Sequence, residues 1–322
     1  MKRVIALFFT FCKVLFASIL ISFFGHRVFA QSNTGKEQIL QANGVKLCIE
    51  TFGDPSHPAI LLNMGAMASM LWWPADFCQQ LAERGYFVIR YDSRDVGRSQ
   101  SYTPGESYYT IMDLVADTYA ILDACKVEKA HYVGMSMGGY LSEIAALQTP
   151  ERVLSLTLIS TTSYGASDPG LTYMNETLNQ YFAKSAEVDW SDKEAVVHFR
   201  MEGARLMNGK GRTFPKKEAR ILAEMEFDRA SNIQSMLNHA LLTGGEEYYD
   251  RAKDITQPVL IIHGSDDPVL PFAHAMYLHK EIEHSKLLYL KGAGHEIHQA
   301  DWAAMIDGIS GHIGETVAKT KE

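Results

Sequence analysis

His131-Tyr-Val-Gly-Met-Ser-Met-Gly-Gly-Tyr140 sets Ser136 between Gly134 and Gly138, directly after an apolar run and directly before a helix-forming run. Residues 129–133 predict a strand that enters a sharp turn and continues as a helix. The spacing G-x-S-x-G is typical of a nucleophile elbow, in which the serine is exposed at a strained apex and glycines let strand and helix pass closely. Ser136 is therefore the candidate nucleophile, and the alternative is an ordinary glycine-rich turn.

A serine nucleophile needs a base and an acid that orients the base, and two later strands lead into such residues. The run Pro258–His263 is typical of a buried parallel strand and leads into a loop with Asp266 and Asp267. The run Lys286–Leu290 predicts the next strand, and His295 follows it. Parallel strands end at one edge of a sheet, where ligands bind, so the order Ser, Asp, His predicts one catalytic triad.

The alternative role of His295 is that of an ordinary loop histidine. The sequence His295-Glu-Ile-His298 spaces two histidines three residues apart, unlike the four-residue spacing of the zinc motif H-E-x-x-H. We therefore expect no metal site and no cofactor.

Three segments carry a resemblance to the alpha/beta-hydrolase superfamily, and more narrowly to the aclacinomycin methylesterase group. They are residues 61–66, residues 90–99 and the segment around Ser136. The resemblance implies an α/β fold with a mostly parallel eight-stranded sheet, flanking helices and a helical lid insertion. It also favours Asp267 over Asp266 as the triad acid, because the acid of similar sequences directly precedes the proline of this loop.

The segment Arg90–Ser99 is similar to a turn of the superfamily, but Asp95 stands where many members have glycine, as it does in the methylesterase group. We expect a tight turn packed behind the active site. The alternative is that Asp92 and Arg94 contact the substrate.

An oxyanion hole needs two backbone N–H groups, one from the residue after the nucleophile and one from an earlier loop. Met137 and Ala66 are the residues that the resemblance implies for these positions. Met67 and Trp73 lie close to Ala66 along the chain. We therefore predict that these two side chains bind the substrate.

The rest of the chain predicts one catalytic domain, residues 31–322. Asn43-Gly44 is a hairpin turn signal between two strand-like runs, and strands then alternate with helices. Between about residues 161 and 255 this alternation stops, and helical stretches rich in methionine and aromatic residues follow. We interpret this segment as the lid, whose apolar residues form either its own core or a roof over the substrate.

Residues 1–30 resemble a secretory signal peptide. Lys2 and Arg3 precede apolar stretches, and Val28-Phe-Ala30 before Gln31 fits a cleavage site. We therefore expect export to the periplasm or the medium. The alternative is a membrane anchor formed by residues 4–24.

Loss of residues 1–30 would remove four basic residues and no acidic residue, so the formal charge would change from -8 to -12. An acidic chain disfavours nucleic acid as a partner. Three cysteines remain, Cys48, Cys78 and Cys125, and their odd number leaves at least one thiol unpaired within a monomer. The sequence does not determine the oligomeric state.

These patterns predict a serine hydrolase that cleaves carboxylic esters of hydrophobic small molecules through an acyl-enzyme. One alternative is a prolyl-type aminopeptidase, which needs a lid carboxylate such as Glu202 or Glu246. A cofactor-free haloperoxidase-like hydrolase is another, because it shares the triad. A third is a ligand receptor without catalytic activity on the same fold.

Overall fold

The computed structural model describes residues 35–106 and 108–319, and the predicted signal peptide lies outside these residues. The described chain contains eight strands: β1 Gln38–Ala42, β2 Val45–Phe52, β3 Ala59–Asn63, β4 Phe87–Tyr91, β5 Ala130–Met135, β6 Val153–Ile159, β7 Val259–Gly264 and β8 Lys286–Leu290. Its α-helices are α1 Ala75–Glu83, α2 Ile111–Ala124, α3 Met137–Gln148, α4 Glu176–Ala183, α5 Lys193–Met207, α6 Lys216–Arg229, α7 Ala273–Glu281 and α8 Trp302–Lys319.

All eight strands form one sheet in the order β1-β2-β4-β3-β5-β6-β7-β8. Strand β2 runs antiparallel to both of its neighbours, and the other pairs are parallel. The predicted mostly parallel eight-stranded sheet flanked by helices is therefore confirmed. Because β5, β7 and β8 run in the same direction, their carboxyl ends meet at one edge.

Hydrophobic residues cover both faces of this sheet. One cluster contains side chains of α2, α3 and α7, and the other contains side chains of α1 and α8. Strand β3 shows how one strand serves both faces, since Leu61 belongs to the first cluster and Ile60 and Leu62 belong to the second. Successive side chains of a strand point to opposite faces, so this fully apolar run is buried on both sides.

The strands predicted at residues 129–133, 258–263 and 286–290 agree with β5, β7 and β8 to within two residues. Helix α2 begins after a capping box, in which Thr110 and Asp113 each accept a hydrogen bond from the other's backbone N–H. Between β6 and β7 the alternation of strand and helix stops. Helices α4, α5 and α6 occupy this segment together with a 3-10 helix, Ile233–Leu241.

The three cysteines of the described chain are free, and burial raises the pKa of the Cys48 and Cys78 thiols to about 12. Among the helices of residues 35–319 that the structure describes, none combines the length and the apolar character needed to cross a bilayer.

Candidate active site

Ser136 lies at the sharp turn between β5 and α3, with φ 52° and ψ -120°. A non-glycine residue in this conformation is strained, and such strain is found mostly at functional sites. The two flanking positions must be glycine, because a larger residue there would collide with nearby backbone atoms. A Cβ at Gly134 would lie 2.2 Å from the carbonyl oxygen of Gly138, and one at Gly138 would lie 2.0 Å from the carbonyl oxygen of Asn63. The turn is anchored by the Ser136 N–H, which donates to Ile159 at 3.0 Å.

His295 and Asp267 lie in the loops that follow β8 and β7. The Nδ1–H of His295 donates to Oδ2 of Asp267 at 2.8 Å, and both side chains are buried. Oδ1 of the same carboxylate accepts the backbone N–H groups of Val269 and Leu270, each at 2.9 Å. These contacts hold the imidazole in the tautomer whose Nε2 is free to accept a proton.

A second histidine supports the same carboxylate. His263 is buried at the end of β7, with Nε2 2.8 Å from the carbonyl oxygen of Leu270 and 3.5 Å from Oδ2 of Asp267. Burial alone raises the pKa of the Asp267 carboxyl, but attraction to His295, the hydrogen bond from His295 and attraction to His263 together lower it below its ordinary value. Asp267 is therefore ionised at neutral pH and can stabilise a protonated His295.

Asp266 has different partners. Its Oδ1 accepts the hydroxyl of Ser265 at 2.7 Å, and its backbone N–H donates to Ala293 at 2.9 Å. Of the two candidate acids, Asp267 is therefore the one whose carboxylate is hydrogen-bonded to His295.

Ser136 and His295 line the same cavity. No direct hydrogen bond joins these two described side chains in this structure. Such a contact is often long before a substrate binds.

The loop after β3 passes directly beside Ser136. A Cβ at Gly65 would lie 3.2 Å from the Ser136 Cβ, so Ala66, the next residue, lies close to the candidate nucleophile. Met137 is the first residue of α3, where backbone N–H groups have no partner within the helix. The two residues predicted for the oxyanion hole thus flank the same serine, and the positive end of the α3 dipole points toward it.

The loop is held by a histidine from the segment between β6 and β7. The Met67 N–H donates to Nδ1 of His239 at 2.9 Å, and Nε2 of His239 donates to the Arg94 carbonyl at 2.7 Å. Both ring nitrogens are thereby used by a neutral imidazole, and burial lowers the pKa of His239. Sequence reasoning missed this residue, because no local pattern relates it to a loop 172 positions away.

Ser136 and His295 open onto a cavity of about 540 Å³. This volume falls within the range of small-molecule sites, which is roughly 300 to 1,000 Å³. Met67, one of the two residues predicted to bind substrate, lines the cavity. The segment between β6 and β7 contributes an apolar part of the lining, which includes Met174, Phe182, Phe199, Met207, Met236 and Leu237.

Trp73, the other residue predicted to bind substrate, does not line this cavity. Its side chain is fully buried, stacks on Phe77 with ring centroids 6.0 Å apart and belongs to the core cluster beneath α1. Trp72 lines the cavity instead. Adjacent side chains of the 3-10 turn Met70–Trp72 and its C-cap Trp73 point in different directions. The sequence alone therefore could not show which of the two tryptophans faces the cavity.

A positively charged side chain that the sequence did not single out also lines the cavity. Arg200 on α5 lines it and forms an ion pair with Glu226 on α6 at 2.7 Å, with both side chains largely buried. The carboxylate of Glu226 also accepts the Ser69 hydroxyl at 2.8 Å and the Trp72 indole N–H at 3.0 Å. The interaction therefore joins two helices to the loop beside Ser136.

The two lid carboxylates considered for binding a substrate amine lie elsewhere. Glu202 forms an ion pair with Arg205, and Glu246 accepts the backbone N–H of Gly244. Neither residue lines the cavity that contains Ser136.

The turn after β4 is a buried polar network. Asp95 has φ 67° and accepts hydrogen bonds from Tyr102 N–H at 2.6 Å, the Tyr109 hydroxyl at 2.8 Å and the Asn238 amide at 3.0 Å. Arg94 forms an ion pair with Asp117 at 2.8 Å. Asp92 accepts the Met70 N–H at 2.9 Å. Neither Asp92 nor Arg94 lines the cavity, which agrees with the structural role expected for this turn.

No group of three or more His, Cys, Asp or Glu side chains in the described chain has a geometry suited to a metal ion.

Comparison with known proteins agrees with this geometry. A family model for the alpha/beta hydrolase fold matches residues 58–299. Rhodomycin D methylesterase of Streptomyces sp. (strain C5) is 30% identical over 292 residues, which cover 85% of this chain and 97% of that protein. The rhodomycin D methylesterase of Streptomyces peucetius is 30% identical over 287 residues, 83% of this chain and 95% of that protein.

Among solved structures, 2-hydroxy-6-oxo-6-phenylhexa-2,4-dienoate hydrolase from Rhodococcus sp. strain RHA1 is similar with a TM-score of 0.68 and 23% identity. The match covers 86% of this chain and 99% of that chain. Fold, strand order and sequence similarity therefore agree, and the chain belongs to the alpha/beta hydrolase family.

Proposed function

We propose that this protein is a serine esterase that hydrolyses carboxylic esters of hydrophobic small molecules. Family membership and similarity over most of the chain to two methylesterases support ester hydrolysis. The observation that carries the proposal is the strained Ser136, which opens onto a largely apolar cavity that is also lined by His295.

In the proposed mechanism, Oγ of Ser136 attacks the ester carbonyl carbon and transfers its proton to Nε2 of His295. The carbonyl π electrons move onto the oxygen, which the N–H groups of Ala66 and Met137 stabilise. Asp267 stabilises the imidazolium that forms. The tetrahedral intermediate then expels the alkoxide, which takes the proton from His295 and leaves as an alcohol.

Water completes the cycle by a second attack with the same residues. His295 accepts a proton from the water as the water attacks the acyl carbon, and it returns the proton to Oγ of Ser136 as the acid departs. Acylation and deacylation therefore need only the ester, water and these residues. The similarity to methylesterases suggests a small alcohol as the first product and a bulkier acid as the second.

An aminopeptidase is less well supported, since a substrate amine needs a carboxylate that faces the cavity. The carboxylates considered for this role do not line the cavity that contains Ser136, and the charge of Arg200, which does line it, is paired with Glu226. An esterase needs no such carboxylate.

The test is hydrolysis of p-nitrophenyl acetate, butyrate and octanoate by the purified protein, with proline p-nitroanilide as the peptidase substrate. We expect ester turnover, little anilide cleavage, and a loss of kcat in Ser136→Ala by a factor on the order of 10⁴ to 10⁶. Preferred cleavage of the anilide would contradict the esterase assignment. Absence of turnover that depends on Ser136, together with tight ligand binding, would support a receptor instead.

A further inference from the structure

A second cavity of about 590 Å³ lies beside the one that contains Ser136. Its lining comes from the residues after the oxyanion loop, from α5 and α6, and from the segment after His295. Its apolar lining residues include Leu71, Pro74, Ala204, Phe214, Leu222 and Trp302, and the acidic residues Asp76, Glu218, Glu226 and Glu296 also line it. The apolar part of this surface is suited to an apolar group, because the transfer of an apolar group out of water lowers the free energy.

Three side chains line both cavities, and they therefore form the wall between them. Trp72 follows the oxyanion loop, whereas Arg200 and Met207 belong to α5. The Arg200 guanidinium carbon lies 5.4 Å from the centroid of the Trp72 ring, a distance suited to a cation–π interaction.

Glu226 on α6 holds two of the three wall residues. Its Oε1 accepts the Trp72 indole N–H at 3.0 Å, and its Oε2 accepts Nε and Nη2 of Arg200 at 3.1 and 2.7 Å. The third, Met207, has a flexible side chain, and thioethers adapt to irregular ligands. The charges of Arg200 and Glu226 neutralise each other, so the wall presents no unpaired charge to an apolar chain.

We infer that the two cavities are compartments of one binding site, and that the second receives a long apolar chain of the ester whose carbonyl lies at Ser136. This inference rests on the proposed esterase function and specifies its substrate class. The first cavity alone accommodates a short ester. A longer chain passes the side chains of Trp72, Arg200 and Met207 and gains contact with the apolar lining beyond them.

The test compares long and short substrates in variants of the second cavity. Ala204 lines only that cavity, so Ala204→Phe fills it without adding atoms to the cavity that contains Ser136. The matched control, Ala304→Phe, makes the same change at an exposed position of α8. We would measure kcat/KM for p-nitrophenyl laurate against the acetate, and for lauryl acetate against ethyl acetate.

In at least one of the two series, Ala204→Phe should lower the ratio of long to short substrate by about tenfold or more, because the missing space removes several methylene contacts. Ala304→Phe should leave both ratios unchanged. Trp72→Ala should raise the ratio that Ala204→Phe lowers. If Ala204→Phe folds with an unchanged Tm and alters neither ratio, the inference is wrong.

A binding measurement separates this inference from the proposed function. Lauryl alcohol binding, followed by tryptophan fluorescence, requires no turnover. If the wild type hydrolyses no ester, the proposed function fails, and the second cavity is then judged by binding alone. Weakening of lauryl alcohol binding by about tenfold in Ala204→Phe, but not in Ala304→Phe, supports the compartment, and equal binding by all three proteins overturns it.

Discussion

At the level of single residues, hydrogen bonds distinguish the acid of the proposed triad from its neighbour. Asp267 and Asp266 are adjacent and chemically identical, yet only Asp267 accepts the Nδ1–H of His295. Asp266 is bonded to the hydroxyl of Ser265 instead. The amino-acid pattern reduced the choice to two residues, and the direction in which each side chain points from the loop after β7 separates them.

Substitution of each aspartate by asparagine tests this difference. We expect Asp267→Asn to lower kcat by roughly 10³ to 10⁴, because an amide stabilises the wrong tautomer of His295 and leaves its protonated form without a countercharge. The matched variant Asp266→Asn should change kcat by less than about threefold, since it retains an acceptor for Ser265. Steady-state hydrolysis of p-nitrophenyl butyrate measures both. Equal losses in the two variants would contradict the assignment.

Asp95 shows how two effects compete at one residue. Its φ of 67° would suit glycine, and αL strain costs roughly 1 to 3 kcal/mol. Its carboxylate, however, accepts hydrogen bonds from Tyr102, Tyr109 and Asn238. Hydrogen bonds to a charged group contribute about 1.5 to 3 kcal/mol each to stability. We therefore expect Asp95→Gly to lower the free energy of unfolding although it relieves the backbone. Urea denaturation would show the opposite sign if backbone strain dominated.

At the level of elements, the contact of β5 and α3 with β3 sets the position of Ser136. Asn63 at the end of β3 donates to Ser142 at 2.9 Å, and Ser142 donates to the Gly138 carbonyl at 2.7 Å. These bonds join the first turns of the helix to the neighbouring strand. The G-x-S-x-G spacing predicted such a turn, because few other sequences permit so close an approach.

Two glycine substitutions of opposite expected sign test the importance of this contact. Gly138→Ala would set Cβ 2.0 Å from a backbone oxygen of β3, so it should destabilise the protein by roughly 3 kcal/mol or more. Gly311→Ala on α8 meets no atom within 4 Å and should stabilise by about 0.5 to 1 kcal/mol. Denaturant melts of both variants measure these changes. A Gly138→Ala protein as stable as the wild type would refute the proposed steric constraint.

At the level of the whole molecule, one buried carboxyl makes stability depend on pH. Glu143 on α3 is buried, and its Oε2 accepts the Tyr164 N–H at 3.1 Å. In the described chain its Oε1 has no hydrogen-bond partner. Burial raises the pKa of this carboxyl from 4.5 to about 8, although the Tyr164 N–H partly opposes the shift. At neutral pH the folded protein therefore holds a proton here that the unfolded chain has released.

An acid with a raised pKa in the folded state destabilises that state as pH rises between the two pKa values. The free energy of unfolding should thus fall from about pH 4.5 to about pH 8, by on the order of 3 kcal/mol at pH 7. Glu143→Gln should remove this part of the slope and stabilise the protein at pH 8. The exposed control Glu151→Gln should keep the slope. Urea melts across this pH range would refute the interpretation if both variants behaved alike.

We also propose that residues 1–30 act as a cleaved signal peptide. The intact mass of the protein recovered outside the inner membrane should then correspond to a chain that begins at Gln31. The formal charge of that chain is -12, compared with -8 for the full chain. Recovery of the full chain with the membrane fraction would favour the anchor formed by residues 4–24.

The amino-acid pattern was sufficient to predict features that depend on neighbours along the chain. The elbow around Ser136 and the strand runs before Asp267 and His295 follow from local spacing and backbone preference. The mostly parallel sheet and the position of the candidate catalytic residues at one edge of it followed from those elements and from the resemblance to known hydrolases, because the ends of parallel strands meet at one edge.

The features that the sequence could not predict depend on side chains brought together from distant segments. Whether Trp72 or Trp73 faces the cavity is determined by the rotation of one 3-10 turn against the core around Phe77. The ion pair between Arg200 and Glu226 exists because α5 and α6 pack against each other and against the loop beside Ser136. Hydrophobic periodicity specifies which face of a helix is buried but not which distant residue it meets, so only the tertiary structure places these groups around the active-site cavity.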